Sequence, residues 1–191
     1  MPLSAFVVRA TRWSSADEIP TGMVVRHATP EDSRAIATIH VLSWQAAYQG
    51  VVPAQFLASM SVDQRERIWR QRLEQGAPGT WVIEEHGGVL GWISAGPSRD
   101  TDALPSTSEL RAIYVDPKHW RRGVGQRLWD EVEDQLRRSG FSDVTVWVLQ
   151  DNAGALAFYR SKGFVVDGIE KTVELGGTEL VEIRLRKGLG G

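Results

Sequence analysis

ELRAIYVDPKHWRRGVGQRLW, running from Glu109 to Trp129, decides the fold. A strand-like run, Leu110 to Val115, leads into a basic turn carrying Gly123 and Gly125, and the turn opens a helical pattern. Strand, glycine turn and helix start, in that order, build a seat for an anion. Glycine lets the backbone approach a phosphate closely, and the first N–H groups of a helix have no carbonyl partner of their own. Arg121 and Arg122 add formal charge at the same place.

Upstream of this stretch, residues 1 to about 22 show neither helical nor alternating period and read as a tail. A short strand, Val24 to His27, comes next. Thr29-Pro30-Glu31-Asp32 has the form of a helix start, with a capping threonine, proline at the first helical position and acids in the first turn. The helix is expected to run to Ala47 with Ala35, Ile36, Ile39, Leu42 and Ala46 as its apolar stripe. His40, Trp44 and Tyr48 fall at four-residue steps beside that stripe. Gly50 and Pro53 break the chain before a second helix over Val62 to Gln75. Thr80–Glu85 and Val89–Ala95 read as strands joined by Gly87-Gly88.

Downstream, the helix from Gly123 to Arg138 carries Val124, Leu128, Val132 and Leu136 on one face and stops at Gly140. Val144–Val148 is a buried strand and Asn152–Lys162 a short helix. Phe164–Leu175 and Leu180–Arg186 form a last hairpin around Gly176-Gly177. Hairpins mixed with strand–helix–strand units predict an α/β domain over residues 23–188: a mixed central sheet of about six to seven strands with helices on both faces.

The 191 residues, 42% apolar, fit one such domain, and a formal charge of −2 gives no broad nucleic-acid footprint. No cysteine is present, which removes disulfides, thiolate metal sites and a cysteine nucleophile and fits a cytoplasmic setting. Phe6-Val7-Val8 is too short for a signal sequence. Ala35 to Val62 carries no formal charge, but Gln45, Gln49, Gly50, Pro53 and Gln55 interrupt it, so no membrane span is expected.

The glycine turn alone admits three readings. A Walker loop lacks its Gly-Lys-Ser/Thr ending, and a dinucleotide fingerprint lacks its third glycine or alanine, since Leu128 stands there. The third reading is a pyrophosphate seat for coenzyme A. It gains from VWVLQDNAGALAFYRSKGF (Val146 to Phe164), where a strand ends, Asn152 opens a helix, and Asn152, Ala155 and Tyr159 share one face.

RRGVGQRL (Arg121 to Leu128) and NAGALAFYRSKGF (Asn152 to Phe164), in this order and spacing, resemble the GNAT superfamily of N-acetyltransferases. The resemblance covers residues 23 to 186, and VLSWQAAYQGVVP (Val41 to Pro53) is similar to the acceptor-side helix and loop of bacterial members. Trp120 departs from the pattern, which commonly has glutamine or arginine there; backbone N–H groups would still supply most of the binding.

The resemblance implies acetyl-CoA as co-substrate, no metal, and a small-molecule or peptide amine as acceptor; a homodimer is compatible with it. The strands Leu110–Val115 and Val144–Val148 would splay, with the pantetheine arm against Ile113, Tyr114 and Val115 and the pyrophosphate on Arg121, Arg122, Gly123, Val124, Gly125 and Gln126. Asn152, Ala155 and Tyr159 would complete the cofactor site. Tyr159 would give a proton to the departing thiolate, or else be a packing tyrosine. Glu109 would accept the amine's proton through water, or else be an exposed strand-end carboxylate. His40 is a second base candidate and a core or surface histidine in the plainer reading. His40, Trp44 and Tyr48 would line the acceptor pocket; packing is the alternative for the two aromatics. Lys118 and His119 face the cofactor's 3′-phosphate or form a solvated loop. Few carboxylates accompany the uncharged acceptor segment, which favours a small or peptide amine over a polyamine. A non-catalytic acyl-CoA-binding module on the same fold is the alternative function.

Overall fold

Alternating residues in seven segments pair into one mixed sheet, and an eighth, very short strand joins it at the middle. The computed structural model describes residues 6–7, 22–76 and 79–190. In chain order the elements are β1 (Phe6–Val7), β2 (Val24–His27), α1 (Ser33–Ala47), α2 (Ala54–Ser59), α3 (Val62–Glu74), β3 (Thr80–Glu85), β4 (Gly88–Pro97), β5 (Thr107–Val115), α4 (Val124–Arg138), β6 (Asp143–Leu149), α5 (Ala153–Ser161), β7 (Val165–Leu175) and β8 (Thr178–Gly188). The strand order is β2-β3-β4-β5-β6-β8-β7, antiparallel except for β5 beside β6 and β1 beside β5. Of the expected tail, Phe6–Val7 is a strand; the remainder up to residue 21 lies outside the described residues.

Each sheet face buries its own core. On one face Val124, Leu128, Val132 and Leu136 of α4, with Phe158 and Tyr159 of α5, pack against Leu110, Ile113 and Val115 of β5. On the other, Ile36, Ile39, Trp44 and Tyr48 of the α1 region, with Trp69 and Leu73 of α3, pack against Trp92, Ala112 and Tyr114. α1 is rotated from its expected setting. Leu42 is 37% exposed and Ala46 exposed, whereas His40, Trp44 and Tyr48 are all buried. The rings remove more area from water than alanine does, so the aromatic row joins Ile36 and Ile39 in the core and the Leu42 and Ala46 end of the expected stripe gives way.

Two turns fix the elements flanking the site. A 3₁₀ turn at Pro30–Asp32 precedes α1, and the Asp32 carboxylate accepts from Thr29 N–H at 2.8 Å and from Arg26 at 2.7 and 2.9 Å. The β7–β8 turn lies so close to α2 that a Cβ on Gly176 (φ +59) would stand 2.8 Å from Phe56 Cβ. Glycine is required there on both counts.

Arg184 is the most heavily engaged cation. Only 4% of its side chain is exposed; it donates twice to Asp102 at 2.7 Å, to Asp167 at 2.7 Å and to Asp100 at 3.1 Å. This fastens the loop between β4 and β5 to β8 and β7. Arg184 pulls the Asp102 carboxyl down to about 2, against the opposing effect of burial. A carboxylate lowered in the fold adds stability above its unfolded value, near 4, that is lost as pH falls through the folded value. Arg184→Met is expected to cost about 3 kcal/mol in denaturant unfolding, the typical cost of stranding partners of a buried cation. It should also flatten the loss of stability between about pH 4 and pH 2.

Candidate active site

Three residue pairs hold β5 to β6: Thr107 with Asp143, Ser108 with Val144, and Glu109 with Thr145. Beyond them the two parallel strands part, and β6 pairs along its length only with β8. The freed edge of β5 meets β1 instead, with Phe6 opposite Ile113 and Val7 opposite Tyr114. The backbone that sequence reasoning gives to a pantetheine arm is therefore bridged by the chain's own first strand, which also neighbours α1 and α5.

Where β5 ends, the basic turn begins. Arg121 (φ 63) and Gly123 (φ 74) are both left-handed, and Gly123 caps α4. The helix's first bond runs from Arg127 N–H to the Gly123 carbonyl at 2.9 Å. The N–H groups of Arg121, Arg122, Gly123, Val124, Gly125 and Gln126 thus have no backbone acceptor among the described residues. Such a row of donors at the positive end of a helix fits a pyrophosphate. Arg122 is held by Glu85 at 3.1 Å and by His119 Nδ1 at 2.7 Å; Arg121 is exposed and meets no carboxylate among the described residues. Trp120 donates its indole N–H to the Val115 carbonyl at 2.7 Å, and Ser43 of α1 donates to the same oxygen at 2.9 Å.

Across the gap lies α5. Asn152 caps it, accepting from Ala155 N–H at 3.0 Å, and donates to the Tyr48 hydroxyl at 3.3 Å. Its side chain thereby links the start of α5 to the end of α1. Tyr159 is 1% exposed and packs edge-on against Phe158 and Phe164. Burial first, then the nearby Tyr48 and Tyr114 hydroxyls, raise its phenol well above the ordinary value, so it keeps its proton.

The three residues expected to line an acceptor pocket, His40, Trp44 and Tyr48, belong to one aromatic cluster with Tyr114. His40 stacks on Tyr114 (ring centres 4.9 Å apart) and on Trp44 (5.8 Å), and the Trp44 indole N–H donates to Tyr114 Oη at 2.8 Å. Both His40 nitrogens are buried with no hydrogen-bond partner among the described residues; burial first, and Arg65 second, hold the ring neutral. A groove of about 580 Å³ runs beside the cluster, lined by Gln49 to Ala54, Leu57 and Thr178.

Glu109 is not an exposed strand end. It is 1% exposed and clasped by both guanidinium arms of Arg99, with Nε at 2.7 Å. Burial raises its pKa, but Arg99 outweighs burial and leaves it below the ordinary carboxylate range. Sequence reasoning missed Glu182. It is 2% exposed, ion-paired to Lys171 at 3.3 Å, and its carboxyl is raised by burial despite that lysine. Alternation along β8 gave the signal that Glu182 and Arg184 share a face, but which face is buried depends on strands far away in sequence. Among the described residues no three histidine, aspartate or glutamate side chains gather to hold a metal, and no helix is long and apolar enough to cross a membrane.

The model of the Acetyltransferase (GNAT) family matches residues 28–164. The chain belongs to that family and is an acetyltransferase. It is 32% identical over 165 residues to the uncharacterized N-acetyltransferase YuaI of Bacillus subtilis, covering 85% of this chain and 91% of that one. It is also 32% identical over 148 residues to the L-amino acid N-acyltransferase MnaT of Escherichia coli, covering 75% and 80%. Among solved structures, the acetyl-CoA complex of yncA from Salmonella typhimurium superposes with a TM-score of 0.64 at 25% identity, covering 88% of this chain and 95% of that one.

Arg121→Glu tests the turn without touching the core. Isothermal titration with acetyl-CoA is expected to show affinity at least about tenfold weaker, with a shallower salt dependence, because a charge-assisted contact is replaced by repulsion. Unchanged affinity would remove the phosphates from this turn.

Proposed function

We propose that this acetyltransferase transfers the acetyl group of acetyl-CoA to the primary amine of a small molecule, by direct attack with both substrates bound. The observation that carries the reading is the parting of β5 and β6 between a row of free N–H groups and a buried, protonated phenol. The thioester supplies an activated acetyl group. Backbone of β5 beyond Glu109, no longer paired with β6, polarises its carbonyl once β1 has been displaced from that edge. Tyr159 gives its proton to the departing thiolate. No cysteine is present for a thiol-linked acyl-enzyme, so most of the acceleration comes from holding amine and thioester in line, worth roughly 7–11 kcal/mol at best.

Two of the buried carboxylates, Glu109 and Glu182, divide the remaining work. Arg99 keeps Glu109 ionised and poorly basic, whereas burial gives Glu182 the higher affinity for a proton. Glu182, whose charge is felt by the Tyr48 and Tyr114 hydroxyls, takes the amine's proton. The activity named for the E. coli relative, L-amino acid N-acylation, supports a free amino acid as acceptor over a peptide.

An assay of thiol release across an amine panel tests the whole reading. Tyr159→Phe is expected to lower kcat by about a hundredfold with acetyl-CoA affinity within about twofold of wild type, and Glu182→Gln to remove the acidic limb of the kcat profile. Equal kcat in Tyr159→Phe would take the acid role from the phenol, and an unaltered limb in Glu182→Gln would take the base role from Glu182.

β1 holds the edge of β5 that the pantetheine arm needs, so the arm enters by displacing it. Two residues of pairing, at about 1 kcal/mol net per hydrogen bond, set the size of the effect. Deleting residues 1–21 is expected to strengthen acetyl-CoA binding by up to about tenfold by titration calorimetry. An affinity equal to that of the full chain would show that β1 does not compete.

A further inference from the structure

Among the described residues, most arginines that leave bulk water meet an acid: Arg26 meets Asp32 and Glu84, Arg184 its three aspartates, Arg186 meets Asp143. Arg65 and Arg111 do not. Both are half-buried, and among the described residues neither forms an ion pair. Burying a guanidinium without a counter-charge is costly, so a fold that does it twice in one place has an anion to receive.

Their placement is specific. β4 and β5 slip register between Ser94 and Ala95, so that Ser94 faces Ala112 and Ala95 faces Leu110, and Arg111 is the unpaired residue of the bulge. A bulge re-aims its side chain. Here the guanidinium lies over Gly96, where a Cβ would come within 3.1 Å of it, and donates once, to the Pro97 carbonyl at 3.1 Å. Its Nε is buried with no hydrogen-bond partner among the described residues. The nearest acid along the strand, Glu109, is already clasped by Arg99. Arg65 comes from the opposite wall, on the face of α3 that carries Trp69, and its charge is felt by His40 and by Tyr114. Arg72, further along that face and stacked on Trp69 at 5.5 Å, presses on both arginines at once. Three cations thus converge on this face of the sheet; burial first, then Arg99 and Arg72 on Arg111 and Arg72 on Arg65, work against their charge, with Glu109 offsetting part of it for Arg111 and Tyr114 part of it for Arg65. Arg111 stands two positions before Ile113, roughly 7 Å along β5 from the edge assigned to the arm. That is the separation of one small acceptor.

We infer that Arg111 and Arg65 bind the carboxylate of the acceptor, making them the residues that select a free amino acid over a simple amine or an amide. A guanidinium presents paired donors in the geometry of a carboxylate, and two of them from opposite walls fix its plane. A plain amine leaves both cations unmet, so discrimination arises as much from that stranded charge as from the hydrogen bonds a carboxylate accepts. The inference rests on the acetyl-transfer reading and adds to it the chemistry at the far end of the acceptor.

The test compares each common amino acid with its own amide on the full chain, by initial rates of thiol release. Wild type is expected to prefer the acid of its best pair by at least about fiftyfold in kcat/KM. Arg111→Gln and Arg65→Gln should each raise KM for the acid by at least about tenfold, with kcat and the rate on the amide little changed, and Arg111→Lys should recover part of the loss. Wild-type enzyme that uses acids and amides equally would overturn the inference while leaving acetyl transfer intact. So would variants that lose both activities in parallel. If no amine is acetylated at all, the transfer reading fails, and the subsite is judged by thermal shift of the protein with coenzyme A. Stabilisation by an amino acid but not by its amide, lost in Arg111→Gln, supports the carboxylate subsite; no such difference ends it.

Discussion

The structure depends on one interruption. β5 and β6 are hydrogen-bonded through three residue pairs and then separate, although both continue as strands. Separated parallel strands leave backbone groups that must find partners, and each element around the gap answers that demand. β8 supplies the far edge of β6, β1 supplies the near edge of β5, and the basic turn at the end of β5 exposes N–H groups that suit an anion. A fully zipped sheet would be better satisfied internally and would have no place for an extended ligand.

Around this gap the two faces do different work. The α4–α5 face is mainly apolar; its buried charge is Glu133, paired with Lys187 and Arg137, and Tyr159 lies within its core. The α1–α3 face is aromatic and carries buried charge: Glu109 with Arg99, Glu182 with Lys171, Arg184 with its aspartates, and the unmatched Arg65 and Arg111. Buried ion pairs add little net stability by themselves. Most of the buried charge lies on that face, where the proposed acceptor would be sorted.

The parts legible in the sequence were those set by local rules. The glycine turn, the α4 stripe, the Gly87-Gly88 and Gly176-Gly177 hairpins and the Asn152 cap all rest on neighbours within a few residues, and the structure has each of them. α2 was missed because six residues carry too little periodicity to stand apart from the loop around Pro53. The shift of α1 was missed because its aliphatic stripe was taken to set the buried face, whereas Trp92 and Tyr114, far away in sequence, receive the His40 ring. Glu182, Arg184 and the pairing of Phe6–Val7 depend on partners distant in sequence, which no short window reveals. The Arg99 clasp on Glu109 spans ten residues and a loop, so the strand-end glutamate looked freer than it is.

The carbonyl of Val115 takes two side-chain donors, Ser43 from α1 and Trp120 from the basic turn. One oxygen atom is thereby the joint between the helix that shapes the acceptor side and the turn suited to phosphate. Any ligand that pulls the turn strains a bond shared with α1, so the two halves of the site are mechanically linked without a hinge or a moving domain. Tryptophan at position 120 is what makes this linkage: it is the residue that departs from the common pattern, and it exchanges a reach towards the ligand for a grip on the frame.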